Sequence, residues 1–185
     1  MILPPHSLML KSMNEPDAVW SELLAGAMEK AKAAGRPDIE EYLSLRAGND
    51  ALRNAGVEWL TQTMTQIAEE AARRSSSSFT VDQKTAHSFP HRGANMSGPR
   101  LQVRFGVRCL TLEAGWTRTP GDGFMRGGVL AAARISHFGM NQYNTELVLK
   151  SSGDQVRWHI WRGERLGGVF TAAHLMAHFA LFTGE

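Results

Sequence analysis

Between residues 100 and 110 the chain alternates strictly. Leu101, Val103, Phe105, Val107 and Cys109 are apolar, while Arg100, Gln102, Arg104, Gly106 and Arg108 are polar or small. A β-strand turns successive side chains to opposite faces, so this pattern predicts a half-buried strand with three arginines on one face. On that reading Cys109 sits on the apolar face as a small core residue. A second strong pattern follows: Thr145 to Lys150, a Ser-Ser-Gly-Asp turn, and Val156 to Trp161 read as a β-hairpin. Val156, Trp158 and Ile160 share its apolar face, and Arg157, His159 and Trp161 share the other. Residues 124–138 also favour a strand, because Val129, Ala131, Ala133 and Ile135 alternate.

Elsewhere the period changes to that of a helix. Asn14-Glu15-Pro16-Asp17 combines a capping residue, an early proline and first-turn acids. Trp20, Leu23, Leu24, Ala27, Ala31 and Ala34 then recur with helical spacing until Gly35 and Pro37 stop the helix. A short second helix is expected from Pro37 to Arg46, ending at Gly48. A longer one starts at Asn49-Asp50, carries the stripe Leu52, Leu60, Met64, Ile67 and Ala71, and closes on Arg73-Arg74. The end of the chain, Val169 to Phe182, places Leu175, Met176, Phe179 and Phe182 on one helical face. Residues 75–99 are polar, with two prolines and two glycines, and read as a loop or linker.

Segregated helical and strand-rich stretches imply an α+β fold. The expected picture is an N-terminal helical hairpin (1–74), a linker (75–99), and an antiparallel sheet of about four strands with a C-terminal helix packed on it (100–185). The whole is expected to form one compact domain. At 185 residues, 43% hydrophobic and 21% charged, the composition is that of a globular protein able to bury a core. No apolar run reaches the roughly 20 residues of a membrane helix. The opening Met-Ile-Leu-Pro-Pro-His lacks a basic n-region, which argues against a secretory signal. One cysteine excludes an internal disulfide and a thiolate metal cage, so a cytoplasmic location is expected.

Charge is divided unevenly. Residues 1–74 hold 8 basic against 11 acidic side chains, and residues 75–185 hold 12 against 7, ten of the twelve being arginine. Arginine suits bidentate contacts to carboxylate or phosphate, but an acidic helical part lying against or near a basic sheet is the simpler explanation of the division.

Three groups carry candidate chemistry. His174 and His178, at i and i+4 on the last helix, project from one face and are candidate metal ligands or catalytic groups. The residue after His174 is Leu175, so the metalloprotease signature is absent. A third ligand would have to come from His137, His159, Glu164 or Asp154; His159 is also a catalytic candidate. His87 and His91 share the same spacing, but Phe89-Pro90 between them disfavours a helix. Arg118 and Arg126, in a glycine-rich stretch without P-loop or dinucleotide spacing, are candidates for a small anionic ligand. Arg100, Arg104, Arg108, Arg157, His159 and Trp161 form the third group, a basic and aromatic sheet face of the kind that stacks and neutralises single-stranded nucleic acid. The competing account covers that face with an acidic helix or a second subunit, with Trp161 as anchor.

The leading functional reading is a non-catalytic binding or assembly protein that acts as a homo-oligomer, with no cofactor and no membrane partner. The alternatives are a metal- or histidine-dependent enzyme, and a nucleic-acid-associated protein. Whether His137, His159, His174 and His178 converge on a cavity decides between the first two.

Overall fold

The computed structural model describes residues 15–74, 79–125, 127–152 and 155–184. It contains three helices, α1 (Glu15–Ala33), α2 (Pro37–Arg74) and α3 (Ala172–Thr183), and seven strands: β1 (Thr80–His91), β2 (Ala94–Phe105), β3 (Arg108–Gly115), β4 (Val129–His137), β5 (Thr145–Ser152), β6 (Gln155–Arg162) and β7 (Arg165–Val169). The fold is α+β, with nearly twice the expected number of strands. Asp154 and Arg126 lie outside the described residues. No helix among those described is long and apolar enough to cross a membrane.

The chain divides into two units, one ending at Gly48 and the other beginning at Asn49. In the first, α1 stops at Gly35, whose φ of +62° is the left-handed conformation that ends helices, and Arg36 donates its N–H to the Ala31 carbonyl. Leu24 and Ala31 are buried, and the Arg46 guanidinium stacks 4.4 Å from the Trp20 ring centroid, joining α1 to α2. The two helices expected over 37–46 and 49–74 are one continuous helix. A glycine inside a helix costs about 1 kcal/mol, too little for Gly48 to break one whose flanks all favour it.

The second unit is built on a seven-stranded antiparallel meander in which every strand pairs with its sequence neighbours. One face is the core face. The second half of α2 lays Val57, Leu60, Met64 and Ala68 on it, beside Leu175, Phe179 and Phe182 of α3. Contact is close at Gly56, where a Cβ would come within 2.6 Å of Leu149, and the Trp158 indole N–H donates to the Gly56 carbonyl at 2.9 Å.

The alternating stretch at 100–110 is two strands rather than one. Gly106 and Val107 form a two-residue turn with φ +57° at the glycine, and Phe105 pairs with Arg108 across it. Such a turn consumes two residues and inverts the parity of the pattern. Leu101 and Val103 face the core before it, and Leu110 and Leu112 after it. Val107 is therefore 92% exposed at the turn. Cys109 pairs with Arg104 on the second face rather than belonging to the core. Arg108 falls on the core side, where its Nη1 donates to the Phe182 carbonyl at 3.0 Å and closes the end of α3.

Residues 80–91 and 94–105, expected mainly within a linker, form the β1–β2 hairpin. Its prolines and glycines mark a bend. Up to Gly98, β2 buries Ala94 and Met96 on the second face with Phe89 of β1 and Ala132 of β4; from Leu101 it buries the opposite face. At the changeover, a Cβ on Gly98 would lie 2.1 Å from the Ala114 carbonyl oxygen, and one on Gly115 would lie 2.4 Å from that of Ser97. Only bare backbone permits this crossing. At the hairpin tip Arg92 and Gly93 both have positive φ, as a type I′ turn requires, and the Arg92 guanidinium rests 4.5 Å from the Trp161 ring centroid. β7 takes up Arg165–Val169, so the last helix, expected from Val169, begins at Ala172.

Gly115→Ala should therefore destabilise the protein by at least about 2 kcal/mol, read by urea unfolding. Gly93→Asn, at a position open to solvent whose conformation asparagine tolerates, should cost under about 1 kcal/mol. Equal costs at the two sites would contradict the crossing argument.

Candidate histidine cleft

β4 directs Ala131, Ala133, Ile135 and His137 toward the core face, and His137 pairs with Leu110 of β3. A polar ring thus ends an apolar row, and the residue is only 1% exposed. Its Nε2 lies 2.9 Å from Nδ1 of His178 on α3, with ring centroids 5.2 Å apart. Among the described residues its own Nδ1 is buried without a partner. One shared proton can be placed in two ways. If His178 donated, neutral His137 would carry its proton on Nδ1, as a buried N–H with no acceptor. If His137 donates from Nε2, only a lone pair is left unpaired. Orphaned buried N–H groups are the rarer defect, so we assign the second arrangement. His178 then carries its proton on Nε2.

Burial, reinforced by the neighbouring His137 and His174, pushes His178 down to about 4. Burial also lowers His137. Both rings are neutral at neutral pH, and the hydrogen bond is one between neutral partners.

His174 stands one turn earlier on α3. Its Nδ1 accepts from the Thr171 backbone N–H at 3.1 Å and lies 2.9 Å from the Thr171 hydroxyl, so it occupies the place a glutamate takes in a capping box. Accepting at Nδ1 puts the proton of this ring on Nε2 as well. The ring stacks on Phe170 at 5.3 Å.

His174 and His178 line an open cleft of about 410 Å³ between α3, the adjoining ends of β5 and β6, and the 3-10 turn Asn141–Tyr143. Ile160, Phe170, Ala177 and Leu181 supply apolar surface; Tyr143, Asn144, Thr145 and Arg162 supply polar groups. Asp and Glu are absent from the described lining. His174, His178 and Arg162 thus border an apolar surface. Among the described residues, no group of three His, Cys, Asp or Glu side chains could hold a metal ion.

Of the four histidines singled out, His137, His174 and His178 come together. His159 lies on the opposite face of the sheet, paired with Val148, its Nδ1 3.4 Å from the Gly167 carbonyl oxygen. The arginines disperse. Arg104 is exposed at the β2 end and Arg157 at the start of β6, toward opposite ends of the second face, with Arg157 bonded to Gln155. Arg108 faces the other way, and Arg118 stacks 3.8 Å over the Trp116 ring centroid. Trp161 lies under Arg92 and donates its indole N–H to the Gly163 carbonyl at 2.6 Å.

Across the middle of the second face runs a row that the sequence did not disclose: Lys84, Arg100, Glu113, Arg134, Glu146 and Trp161, each opposite the next. Glu113, 8% exposed, accepts from Arg134 Nε at 2.9 Å and lies 2.7 Å from His87 Nε2. Both oxygens of this buried carboxylate are thus engaged, as a buried charge requires. The signal for His137 was present in the sequence, because it continues the odd-numbered apolar row of β4. Its partnership with His178, 41 residues away, had no local signature.

Comparison with protein-family models, with curated proteins and with solved structures finds no match to this chain.

The lowered histidines give a signed pH dependence. Unfolded, they take up protons from about pH 6.5 downward; folded, His178 does so only near 4. The unfolded state binds more protons across that window, so stability falls as pH drops through it. For His178 the loss is of order 2–3 kcal/mol. Urea midpoints measured from pH 7 to pH 4 should fall accordingly. His178→Leu, although less stable throughout, should fall much less steeply. A variant with the wild-type slope would exclude His178 as the source.

Proposed function

We propose that this chain is a non-catalytic binding protein whose α3 cleft holds a small ligand with an apolar body and an anionic or carbonyl acceptor head. The observation that carries this reading is the His137–His178 hydrogen bond with its orphaned Nδ1. With that proton placement His178, which lines the cleft, carries an N–H rather than a free lone pair on its other ring nitrogen. A general base or metal ligand needs that lone pair. Moving the proton to Nδ1 of His178 would strand a buried N–H on His137, and moving it on His174 would break the Thr171 cap. A base titrating near 4 is in any case a poor proton acceptor at neutral pH. Arg162, the polar rim and the lack of acidic lining side chains further support an acceptor-bearing guest.

The enzyme reading loses ground on those protons. The nucleic-acid reading loses ground because Glu113, Glu146 and Asp82 lie among the sheet arginines and Arg108 faces away from the rest. A cytoplasmic setting belongs to this proposal, in keeping with the single free cysteine.

Two probes with the same apolar body and opposite heads test it: phenylacetate and phenethylamine, followed by NMR of the histidine rings. Phenylacetate should shift the His174 and His178 signals with a Kd of about 1 mM, a fragment-scale affinity. His178→Phe should weaken it at least about 10-fold, the worth of one charge-assisted hydrogen bond. Preferential binding of phenethylamine, or of Zn²⁺, at these rings would overturn the proposal.

A further inference from the structure

Unit one presents an apolar surface that its own two helices leave open. On α1, Val19, Leu23, Gly26 and Lys30 recur at a four-three-four spacing, the seam of a helix–helix contact. With Glu22 and Ala27 they line a shallow groove. Val19 and Leu23 are 54% and 61% exposed, and Tyr42 and Leu45 on the facing part of α2 are similarly open. At about 100° per residue, Val19 and Leu23 lie roughly a third of a turn from the buried line of Leu24 and Ala31. Tyr42 and Leu45 are displaced in the same sense from the half-buried line of Leu43, Arg46, Ala47 and Asp50. Because the chain reverses at Gly35, equal offsets bring both pairs to one broad side of the hairpin.

Gly26 sits at the centre of this surface, inside a helix, where glycine is the costliest residue other than proline. Among the described residues, its own helix backbone and chain neighbours aside, nothing lies within 4 Å of where its Cβ would be. A small residue there is of use to another helix crossing closely. The charges around it are self-complementary. Glu22 and Lys30 lie four residues to either side of Gly26, both exposed and both lining the groove.

We propose that this face is a homodimer interface, in which α1 of one copy crosses α1 of a second antiparallel at Gly26. A two-fold axis there sets Glu22 of each copy against Lys30 of the other, so each pair forms twice. Two hairpins together make a four-helix bundle, the smallest layered arrangement that closes such a surface. The exposed apolar side chains offer on the order of 400 Å² per copy, close to the apolar share of a standard interface of about 800 Å² per partner. The proposal is independent of the ligand reading of the α3 cleft.

Sedimentation equilibrium of the full chain tests it. The wild type should self-associate with a Kd in the micromolar range. Leu23→Glu, at an exposed position, should leave circular dichroism unchanged and yield single copies. Glu22→Lys and Lys30→Glu should each weaken association about 3- to 10-fold, the scale of exposed charge pairs set against like charges. The double exchange Glu22→Lys/Lys30→Glu should restore it, a result no merely structural role produces. A wild type that stays single up to about 100 µM, too weak for a specific dimer, would overturn the proposal. So would a dimer indifferent to Leu23→Glu, or a double exchange no better than either single change.

Discussion

An imidazole at the end of β4 has to be buried in an otherwise apolar layer, and the hydrogen bond from His137 to His178 is how the structure meets that demand. Burying a polar group without a partner costs on the order of 1–3 kcal/mol. The partner must therefore come from whatever covers the sheet, and α3 supplies it. The bond fixes the place of α3 over β3 and β4 and settles where both ring protons reside. With the proton of His178 on Nε2, this ring of the cleft lining carries a donor rather than a free lone pair. Geometry at a buried strand end thus determines the chemistry of an open surface.

That burial is possible because the sheet divides its two faces unequally. The core face is covered by α2 and α3 from Leu101 to Trp158. The second face is apolar only where the distal β1–β2 hairpin bends over it, after the glycine crossing at Gly98 and Gly115. Between, the charged row from Lys84 to Glu146 alternates signs from Arg100 onward. Opposite charges directly across strands stabilise the pairing, whereas a one-residue slip would drive them into the core. Register and face assignment therefore reinforce one another.

The parts legible in the sequence were those governed by local period. The β5–β6 hairpin, the strand at 129–137, α1 and α3 follow from alternation or helical spacing, whereas the break expected before Asn49 is absent from the continuous α2. The run at 100–110 was legible as β-structure, but its phase was not. Gly106 and Val107 continue the apolar–small alternation while forming a turn, so Cys109 and Arg108 were assigned to the wrong faces. At 80–99 the prolines and glycines that usually end strands instead allow two strands to cross and bend. The site was legible to the extent that His174 and His178 share a helical face. That both accept at Nδ1 depends on Thr171 and on a strand far away in sequence, which no spacing rule encodes.

The central claim concerns the position of two protons, and ring nitrogen-15 NMR at neutral pH reads it directly. The account predicts that His137 and His178 are both protonated on Nε2 with bare Nδ1 atoms, and that His178 stays neutral until the pH approaches about 4. A proton on Nδ1 of His178 would place a lone pair in the cleft and contradict the account.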